Sequence, residues 1–205
     1  MCHLRSPMRD TSKRIQKTKD EIADALCSLL RTEQYDVITI QEVADRCSVT
    51  RRTLYRHFKT KDDILHHCFK GCATQFSDYI TAHAPANYYE FCVVYFSFWN
   101  ENMEMLTILN KSGIMYRFAS EFESLVMMMS AQTGGVSAGA SGTAGAGGAL
   151  DEAAREKYKF HFAYRTAGFW HVTEVWSREE PRRSPEEMAK VMLEITSFPS
   201  EVHIL

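Results

Sequence analysis

Two helix-start signals in close succession, at Thr39 and Thr50, constrain the fold of this chain more than any other feature. Thr39 is followed by Glu42 at the spacing of a capping box, in which each side chain accepts a hydrogen bond from the other residue's backbone N–H. Thr50 is of a residue type that favours the same capping position. The segment 47–49 between the two helices has room only for a turn. The pattern predicts two short helices joined by a tight turn, a helix-turn-helix arrangement.

The second of these helices has a basic outer face. Leu54 and Phe58 are four residues apart and face the core together, which turns their neighbours outward. No acidic residue lies between Asp45 and Asp62, and the basic residues of that interval are Arg46, Arg51, Arg52, Arg56, Lys59 and Lys61. The net charge of −2 is unevenly distributed along the chain. Residues 1–61 carry 13 Lys and Arg against 8 Asp and Glu, whereas the remainder carries 11 against 18. The basic N-terminal part is therefore suited to bind the negatively charged phosphates of a nucleic acid.

A helix laid in the major groove of DNA presents side chains near its N-terminus to base edges, while flanking groups hold phosphates. Arg51 and Arg52 are the predicted base-reading residues, because a guanidinium can donate two hydrogen bonds to guanine. The predicted DNA-contacting set is Thr39, Gln41, Thr50, Arg51, Arg52, Thr53, Tyr55, Arg56, His57, Lys59 and Lys61. The alternative is a solvated charged helix face that contacts no DNA, since such faces are common.

The rest of the chain predicts an all-α fold. Apolar residues recur at helical spacing from Ser12 to Arg31, which predicts a first helix. Thr60 and Asp63 repeat the capping signal, and the apolar residues that follow predict a further helix. The run 88–99 is apolar nearly all round; its length and lack of turn residues favour a buried helix over a strand. The last two predicted helices, 151–177 and the one that begins at Ser184-Pro185, have broad apolar faces that suit an intermolecular four-helix bundle.

These patterns divide the chain into three parts. We expect a flexible N-terminal arm over 1–11, a helix-turn-helix DNA-binding domain over 12–60 and a helical dimerisation domain over 61–205, to which the resemblance given below adds effector binding. Residues 131–149 hold seven of the ten glycines and predict a flexible loop. The alternative, a loop that cradles phosphate, would require a GxGxxG or GxxxxGK[ST] register, which this segment lacks.

Aromatic and methionine side chains of the C-terminal part are candidates to line a ligand cavity. The predicted ligand-binding residues are Phe98, Trp99, Met103, Met115, Phe118, Phe122, Arg165 and Phe169. The alternative for each is ordinary core packing or a helix surface. No Ser-His-Asp order, paired carboxylates or cofactor motif indicates catalysis, so the sequence predicts neither an enzyme nor a bound cofactor.

Four neighbouring residues, His66, His67, Cys68 and Cys72, raise the question of a metal site. No second pair of ligands follows at the spacing of a zinc site, so we expect apolar packing of the cysteines and no metal. The six cysteines of the chain form no CxxC pair, which is typical of reduced thiols in the cytoplasm. The sequence also predicts neither export nor a membrane-spanning segment.

The stretch from about Lys13 to Leu65 resembles the TetR/AcrR family of bacterial transcriptional regulators. Their recognition-helix signature, Thr-Leu-Tyr-x-His-Phe followed by x-x-Lys-x-x-Leu, is matched here by Thr53, Leu54, Tyr55, His57, Phe58, Lys61 and Ile64. The C-terminal part, with segments 109–113, 164–168 and 184–189 and Trp176, is similar to the branch that includes the dihydroxyacetone-kinase activators. Three positions depart from the family's usual glycines: Ser48 in the turn, Arg52, and Gln34 at the end of the first helix.

The resemblance implies a homodimer of about nine helices per chain, joined through the last two helices, with an effector cavity in the C-terminal domain. It implies a cytoplasmic transcriptional regulator of double-stranded operator DNA, foremost a repressor that a small-molecule effector releases from its operator. The alternatives are a coactivator that keeps the helix-turn-helix but works by protein contact and, as a distant third, a small helical enzyme.

Overall fold

The computed structural model describes residues 7–132 and 152–196. These residues form nine helices and no strand, which confirms the predicted all-α fold. The helices are α1 (Pro7–Leu30), α2 (Ile40–Arg46), α3 (Arg51–His57), α4 (Lys61–His83), α5 (Tyr88–Glu101), α6 (Met103–Lys111), α7 (Met115–Gln132), α8 (Glu152–Ser177) and α9 (Pro185–Thr196). The first six residues of the predicted arm and positions 133–149 of the predicted flexible loop lie outside the described residues.

The chain divides into two compact units. Unit 1 consists of the chain up to Ala73 together with Ile108–Phe122. Unit 2 consists of Thr74–Thr107 and the chain from Glu123 onward. The N-terminal unit is therefore larger than residues 12–60, because it includes the first part of α4, the end of α6 and the start of α7.

Unit 1 is organised around α1. This helix begins at Pro7 rather than at Ser12, and proline is well tolerated there because the first helical N–H has no partner within the helix. Ile22 and Leu26 are fully buried on its inner face. Apolar burial of this kind contributes about 25 cal/mol per Å² and is the main term that holds a short helical domain together.

The predicted helix starts are confirmed. Thr39 caps α2 in a capping box, with its Oγ1 accepting from the N–H of Glu42 at 3.2 Å and its own N–H donating to Glu42 Oε2 at 2.7 Å. Thr60 caps α4 through Asp63, whose Oδ2 accepts from the Thr60 N–H at 2.9 Å. Ser184 precedes α9, and its Oγ accepts from a backbone N–H one turn into the helix. These contacts form within four residues, which explains why the sequence predicts them.

The turn between α2 and α3 contains a residue in the left-handed region. Ser48 has φ 55°, a conformation that costs a residue with a side chain roughly 1 kcal/mol relative to glycine. The N–H of Val49 donates to the Ala44 carbonyl at 3.1 Å and closes the turn. The left-handed turn that the resemblance implies is therefore present, with serine in the place of glycine.

Ser48→Gly should stabilise the protein by about 0.5–1 kcal/mol, because glycine adopts a positive φ without steric cost. The free energy of unfolding from urea denaturation measures the change. Ser48→Ala is the matched control: it removes the hydroxyl but keeps the strained Cβ, so its stability should stay close to that of the parent. Equal effects of glycine and alanine would show that the turn is not strained.

Unit 2 has an aromatic core built on α5. Phe96 and Trp99 are fully buried, and α5 packs against α9. The Phe96 ring meets the Trp176 ring edge to face with centroids 5.2 Å apart, a favoured geometry for aromatic pairs. This confirms the predicted buried helix in the segment 88–99. None of the helices in the described ranges is long and apolar enough to cross a membrane.

Candidate nucleic-acid interface

The candidate interface is the outer side of α2 and α3 in unit 1. Leu54 is fully buried and Phe58 is 5% exposed, so these two side chains anchor α3 to the domain. Thr50 caps α3, with its Oγ1 accepting from the N–H of Thr53 at 3.2 Å and lying 3.0 Å from the hydroxyl of Thr53. The helix therefore has a fixed start and a fixed inner face.

The side chains of α3 that point away from this anchor are exposed, as predicted. Arg51, Arg52 and Arg56 are exposed, and Tyr55 is 52% exposed. Lys59 follows the helix and is also exposed. Three arginines and a tyrosine on the outside of one short helix provide donors of the kind that read guanine edges and hold phosphates. The DNA contacts themselves stay a prediction.

The predicted residues at the start of α2 are already engaged in local hydrogen bonds. The Thr39 hydroxyl donates to Glu42 Oε2 at 2.7 Å, and the Gln41 amide donates to Asp45. Arg46 donates to Ser28 Oγ on α1 at 3.1 Å. The hydrogen bond from Thr39 lowers the pKa of the Glu42 carboxyl, which stays ionised and caps the helix.

His57 stands apart from the other residues of the predicted set. Its Nε2 is buried and has no hydrogen-bond partner among the described residues. Burial, assisted by the charges of Arg56 and Lys19, lowers the pKa of His57. The imidazole is therefore neutral near pH 7 and can offer DNA a hydrogen bond but no charge.

Lys61 also differs from its sequence neighbours, because its ammonium is bound inside the domain. The Lys61 side chain is half-buried. Its ammonium donates to the Ile38 carbonyl at 2.7 Å and to the Tyr35 carbonyl, and lies 4.2 Å from the centre of the Tyr35 ring. Burial lowers the pKa of Lys61. The side chain closes the loop between α1 and α2, a role distinct from the phosphate contact predicted for it.

The sequence did not predict the polar cluster of Tyr35, Asp62 and Arg117, which lies next to Lys61. The Tyr35 hydroxyl donates to Asp62 Oδ1, which also accepts from Arg117 Nη2 at 2.9 Å. The guanidinium of Arg117 lies 5.1 Å from the centre of the Tyr35 ring. The Gln34 amide donates to the Lys111 carbonyl at 3.1 Å. These contacts join the α1–α2 loop, the start of α4 and the α6–α7 region within unit 1.

Asp62→Asn should destabilise the protein at pH 7 by about 1 kcal/mol, the usual value of a partly exposed charged hydrogen bond. The hydrogen bonds from Tyr35 and Arg117 lower the pKa of Asp62 in the folded state. Its contribution is therefore complete above the unfolded pKa, about 3.9, and is lost as pH falls through the lower folded value. Urea denaturation at pH 7 and at pH 2 measures the two limits.

The difference between Asp62→Asn and the parent should vanish at the acid limit. Asp78→Asn, on an exposed position of the same helix, is the control and should leave stability unchanged at either pH. An unchanged stability of Asp62→Asn at pH 7 would show that the cluster around Tyr35 does not hold the domain together.

The predicted ligand-binding residues are divided between the two units. Phe98, Trp99 and Phe169 lie in unit 2, where Phe98 and Trp99 are buried and Tyr95 contacts both Trp99 and Phe169. Its hydroxyl lies 3.0 Å from that of the buried Thr173. Met103 is also in unit 2.

Unit 1 contains three further members of the predicted ligand set, Met115, Phe118 and Phe122. Phe118 and Phe122 are buried there, and the Phe118 ring meets Phe69 edge to face with centroids 4.9 Å apart. Met115 is half-buried in the same unit. Arg165 lies in α8, and its side chain is outside the described part of the chain.

The four residues considered for a metal site point to different partners. His66 Nδ1 lies 2.8 Å from Glu121, and His67 Nε2 lies 2.9 Å from Asp20. Cys68 faces Cys27, and Cys72 is buried. In the described ranges no group of three or more His, Cys, Asp or Glu side chains is arranged to hold a metal ion.

The described residues are helical, and they contain a capped two-helix turn with an exposed arginine-rich second helix, which defines a helix-turn-helix protein. Residues 22–68 match the family model described as "Bacterial regulatory proteins, tetR family". This segment is therefore similar to TetR-family regulators, which confirms the predicted resemblance over residues 22–68. The match covers the end of α1, all of α2 and α3 and the start of α4, the part that carries the candidate interface.

One relative is similar to a third of the chain in sequence, and one solved structure is similar to most of it in fold. The biofilm operon icaADBC HTH-type negative transcriptional regulator IcaR of Staphylococcus epidermidis is 26% identical over 70 residues. That alignment spans 34% of this chain and only 38% of the length of the relative. The TetR transcriptional regulator of Streptococcus agalactiae 2603V has the same fold, with a TM-score of 0.59 and 22% identity over 92% of this chain and 98% of that structure.

A further solved structure, the dihydroxyacetone kinase operon activator DhaS, aligns with a TM-score of 0.47 and 15% identity over 87% of this chain and 93% of its own. This similarity is too weak to assign the C-terminal part to a branch of the family. The similarity to dihydroxyacetone-kinase activators therefore stays a prediction.

Proposed function

We propose that the chain is a sequence-specific DNA-binding transcriptional regulator of the cytoplasm that acts as a repressor. The observation that carries the proposal is the outer face of α3, where Arg51, Arg52, Tyr55 and Arg56 are exposed on a helix fixed by its cap and by the buried Leu54. The similarity to IcaR, which is a negative transcriptional regulator, supports repression.

The proposed contacts differ in kind along the face. Arg51 and Arg52 lie in the first turn of α3, where a helix in the major groove meets base edges, and we assign them to bases. The Thr53 hydroxyl lies 3.0 Å from that of the cap residue Thr50, and we assign Thr53 to a base or a phosphate. Phosphates are assigned to the other residues of the predicted set, which are Thr39, Gln41, Thr50, Tyr55, Arg56, His57 and Lys59. Lys61 is assigned to the loop carbonyls that it already binds.

We propose that the chain acts as a homodimer through α8 and α9. Large apolar side chains on these helices are exposed in the single chain: Tyr164 is 82%, Val175 is 51% and Ile195 is 49% exposed. A second copy would bury them in a four-helix bundle. The dimer would place two copies of α3 in successive major grooves, about 34–36 Å apart.

The proposed signal is a small molecule that binds the aromatic unit 2, where Phe98, Trp99 and Phe169 share contacts with Tyr95 and Phe76. Binding would favour a dimer in which the two copies of α3 no longer match successive grooves, and the operator would be released. A ligand can shift this equilibrium only by its difference in affinity for the two arrangements.

Fluorescence anisotropy with DNA from upstream of the chain's own gene tests the proposal. We expect tight binding that is at least about a thousandfold stronger than binding to random DNA and that weakens steeply between about 50 and 200 mM salt. Absence of selective binding, both there and in a broad library of sequences, would contradict DNA reading. It would favour instead a regulator that works by protein contact.

A further inference from the structure

The thiols of Cys27 on α1 and Cys68 on α4 face each other across 3.5 Å and share a hydrogen bond. Sequence spacing gave no sign of this pair, because the two residues are 41 positions apart. In the sequence, Cys68 stands out only beside its neighbours His66, His67 and Cys72. Cys72 is buried, whereas Cys27 and Cys68 are both half-buried and retain access to solvent.

We propose that Cys27 and Cys68 are a redox site in which a hydroperoxide converts the dithiol to a disulfide. The disulfide sulfurs would lie about 2.05 Å apart, so the two atoms need approach by only about 1.5 Å. Rotation of the side chains with a small shift of α1 against α4 can provide this movement.

The two thiols are unequal, which assigns their roles. The hydrogen bond with Cys68 lowers the pKa of the Cys27 thiol, and the nearby Arg31 acts in the same direction, against burial and Asp24. The same hydrogen bond and burial raise the pKa of Cys68. The thiolate is the nucleophilic form of cysteine, so Cys27 is the attacking thiol and Cys68 the resolving thiol.

The reaction balances in two steps. The Cys27 thiolate attacks the terminal oxygen of the hydroperoxide; an S–O bond forms, the O–O bond breaks, and the alkoxide leaves and takes up a proton as the alcohol. The Cys68 sulfur then attacks the sulfenic sulfur; the S–S bond forms, the S–O bond breaks, and hydroxide leaves with the Cys68 proton as water. The two sulfurs together lose two electrons and the peroxide gains them.

The cross-link would lie beside the contacts that hold the candidate interface in place. Ser28, next to Cys27, accepts the hydrogen bond of Arg46 at the end of α2. His67, next to Cys68, packs on the ring of Phe58 at the end of α3, with ring centroids 5.5 Å apart. A shift of α1 against α4 therefore reaches both helices of the turn, and we expect the oxidised protein to bind DNA less tightly. This consequence rests on the proposed function.

The chemistry is tested without DNA. The full-length protein is treated with stoichiometric hydrogen peroxide, and its mass and peptide map are measured. We expect the loss of two hydrogen atoms and one disulfide between Cys27 and Cys68, reversed by dithiothreitol. In Cys68→Ser, a sulfenic acid should form at Cys27 and react with dimedone, whereas Cys27→Ser should give neither product.

Cys47→Ser is the matched control, because Cys47 is a half-buried cysteine of the same unit whose thiol bonds to the Val43 carbonyl at 3.1 Å. It should form the Cys27–Cys68 disulfide as the parent does. No disulfide in the parent, or a disulfide that joins other cysteines, would overturn the proposal, and far-ultraviolet circular dichroism checks that each serine variant is folded.

The DNA readout is separate. Reduced protein should bind its upstream DNA about 5- to 150-fold more tightly than oxidised protein, a typical range of coupling between two sites, and Cys27→Ser should be insensitive to peroxide. Equal affinity of the two forms would overturn control of DNA binding by the thiol pair. If the disulfide forms but neither redox state binds DNA, the redox site stands and the proposed function fails.

Discussion

Arg52→Ala should weaken binding to the protein's own operator by about 1–3 kcal/mol and change binding to random DNA little, because a guanidinium that grips guanine with two hydrogen bonds discriminates between bases. Arg52 is exposed in the first turn of α3 and stands where the family often has glycine. Anisotropy titrations on operator and random duplexes at one salt concentration measure both affinities. Arg52→Lys should recover only part of the loss, because an ammonium keeps the charge but not the fork of donors.

Two controls separate reading from general charge. Lys59→Ala, at the exposed position after α3, should weaken binding to both duplexes to a similar degree and reduce the salt dependence. Arg178→Ala removes an exposed arginine from unit 2, where it pairs with Glu174, and should leave both affinities unchanged. An equal loss for Arg52→Ala on operator and random DNA would contradict its role in reading bases.

Phe96→Ala should destabilise the protein by about 3–5 kcal/mol, the cost of removing a buried aromatic side chain and leaving a cavity. Phe96 is fully buried, and its ring meets those of Tyr95 and Trp176 edge to face, each with centroids 5.2 Å apart. The total free energy of unfolding of a typical protein is about 5–15 kcal/mol, so this loss should lower the denaturation midpoint strongly. Urea denaturation followed by circular dichroism measures the change.

Tyr116→Ala is the control for this prediction, because Tyr116 is 86% exposed and its removal should change stability by less than about 0.5 kcal/mol. Phe96→Leu should fall between the two, since leucine refills much of the space. A cost below about 1 kcal/mol for Phe96→Ala would show that α5 is not the packed centre of unit 2.

The features that the sequence predicted well are local. The caps at Thr39, Thr50 and Ser184 depend on contacts within four residues. The buried faces of α3 and α5 follow from apolar spacing in the same way. The outward face of α3 could therefore be predicted from the sequence alone, as could the all-α fold.

The features that the sequence did not predict depend on residues far apart in the chain. Arg117 reaches Asp62 across 55 positions, so spacing could not show that the start of α7 belongs to unit 1. The positive charge of Lys61 suggested a contact with phosphate, but its ammonium binds the carbonyls of Tyr35 and Ile38. Cys27 and Cys68 are 41 positions apart, so the sequence could not show that their thiols face each other.

The central claim, that the exposed face of α3 reads DNA sequence, is tested most directly by selection of binding sites from a random DNA library with the purified protein. We predict enrichment of an inverted repeat whose half-sites contain guanine and whose centres lie about 34–36 Å apart, as two copies of α3 in successive major grooves require. In parallel, Arg52→Ala should lose the preference for guanine at one position of each half-site. A parent protein that enriches no sequence above the starting library would contradict the account.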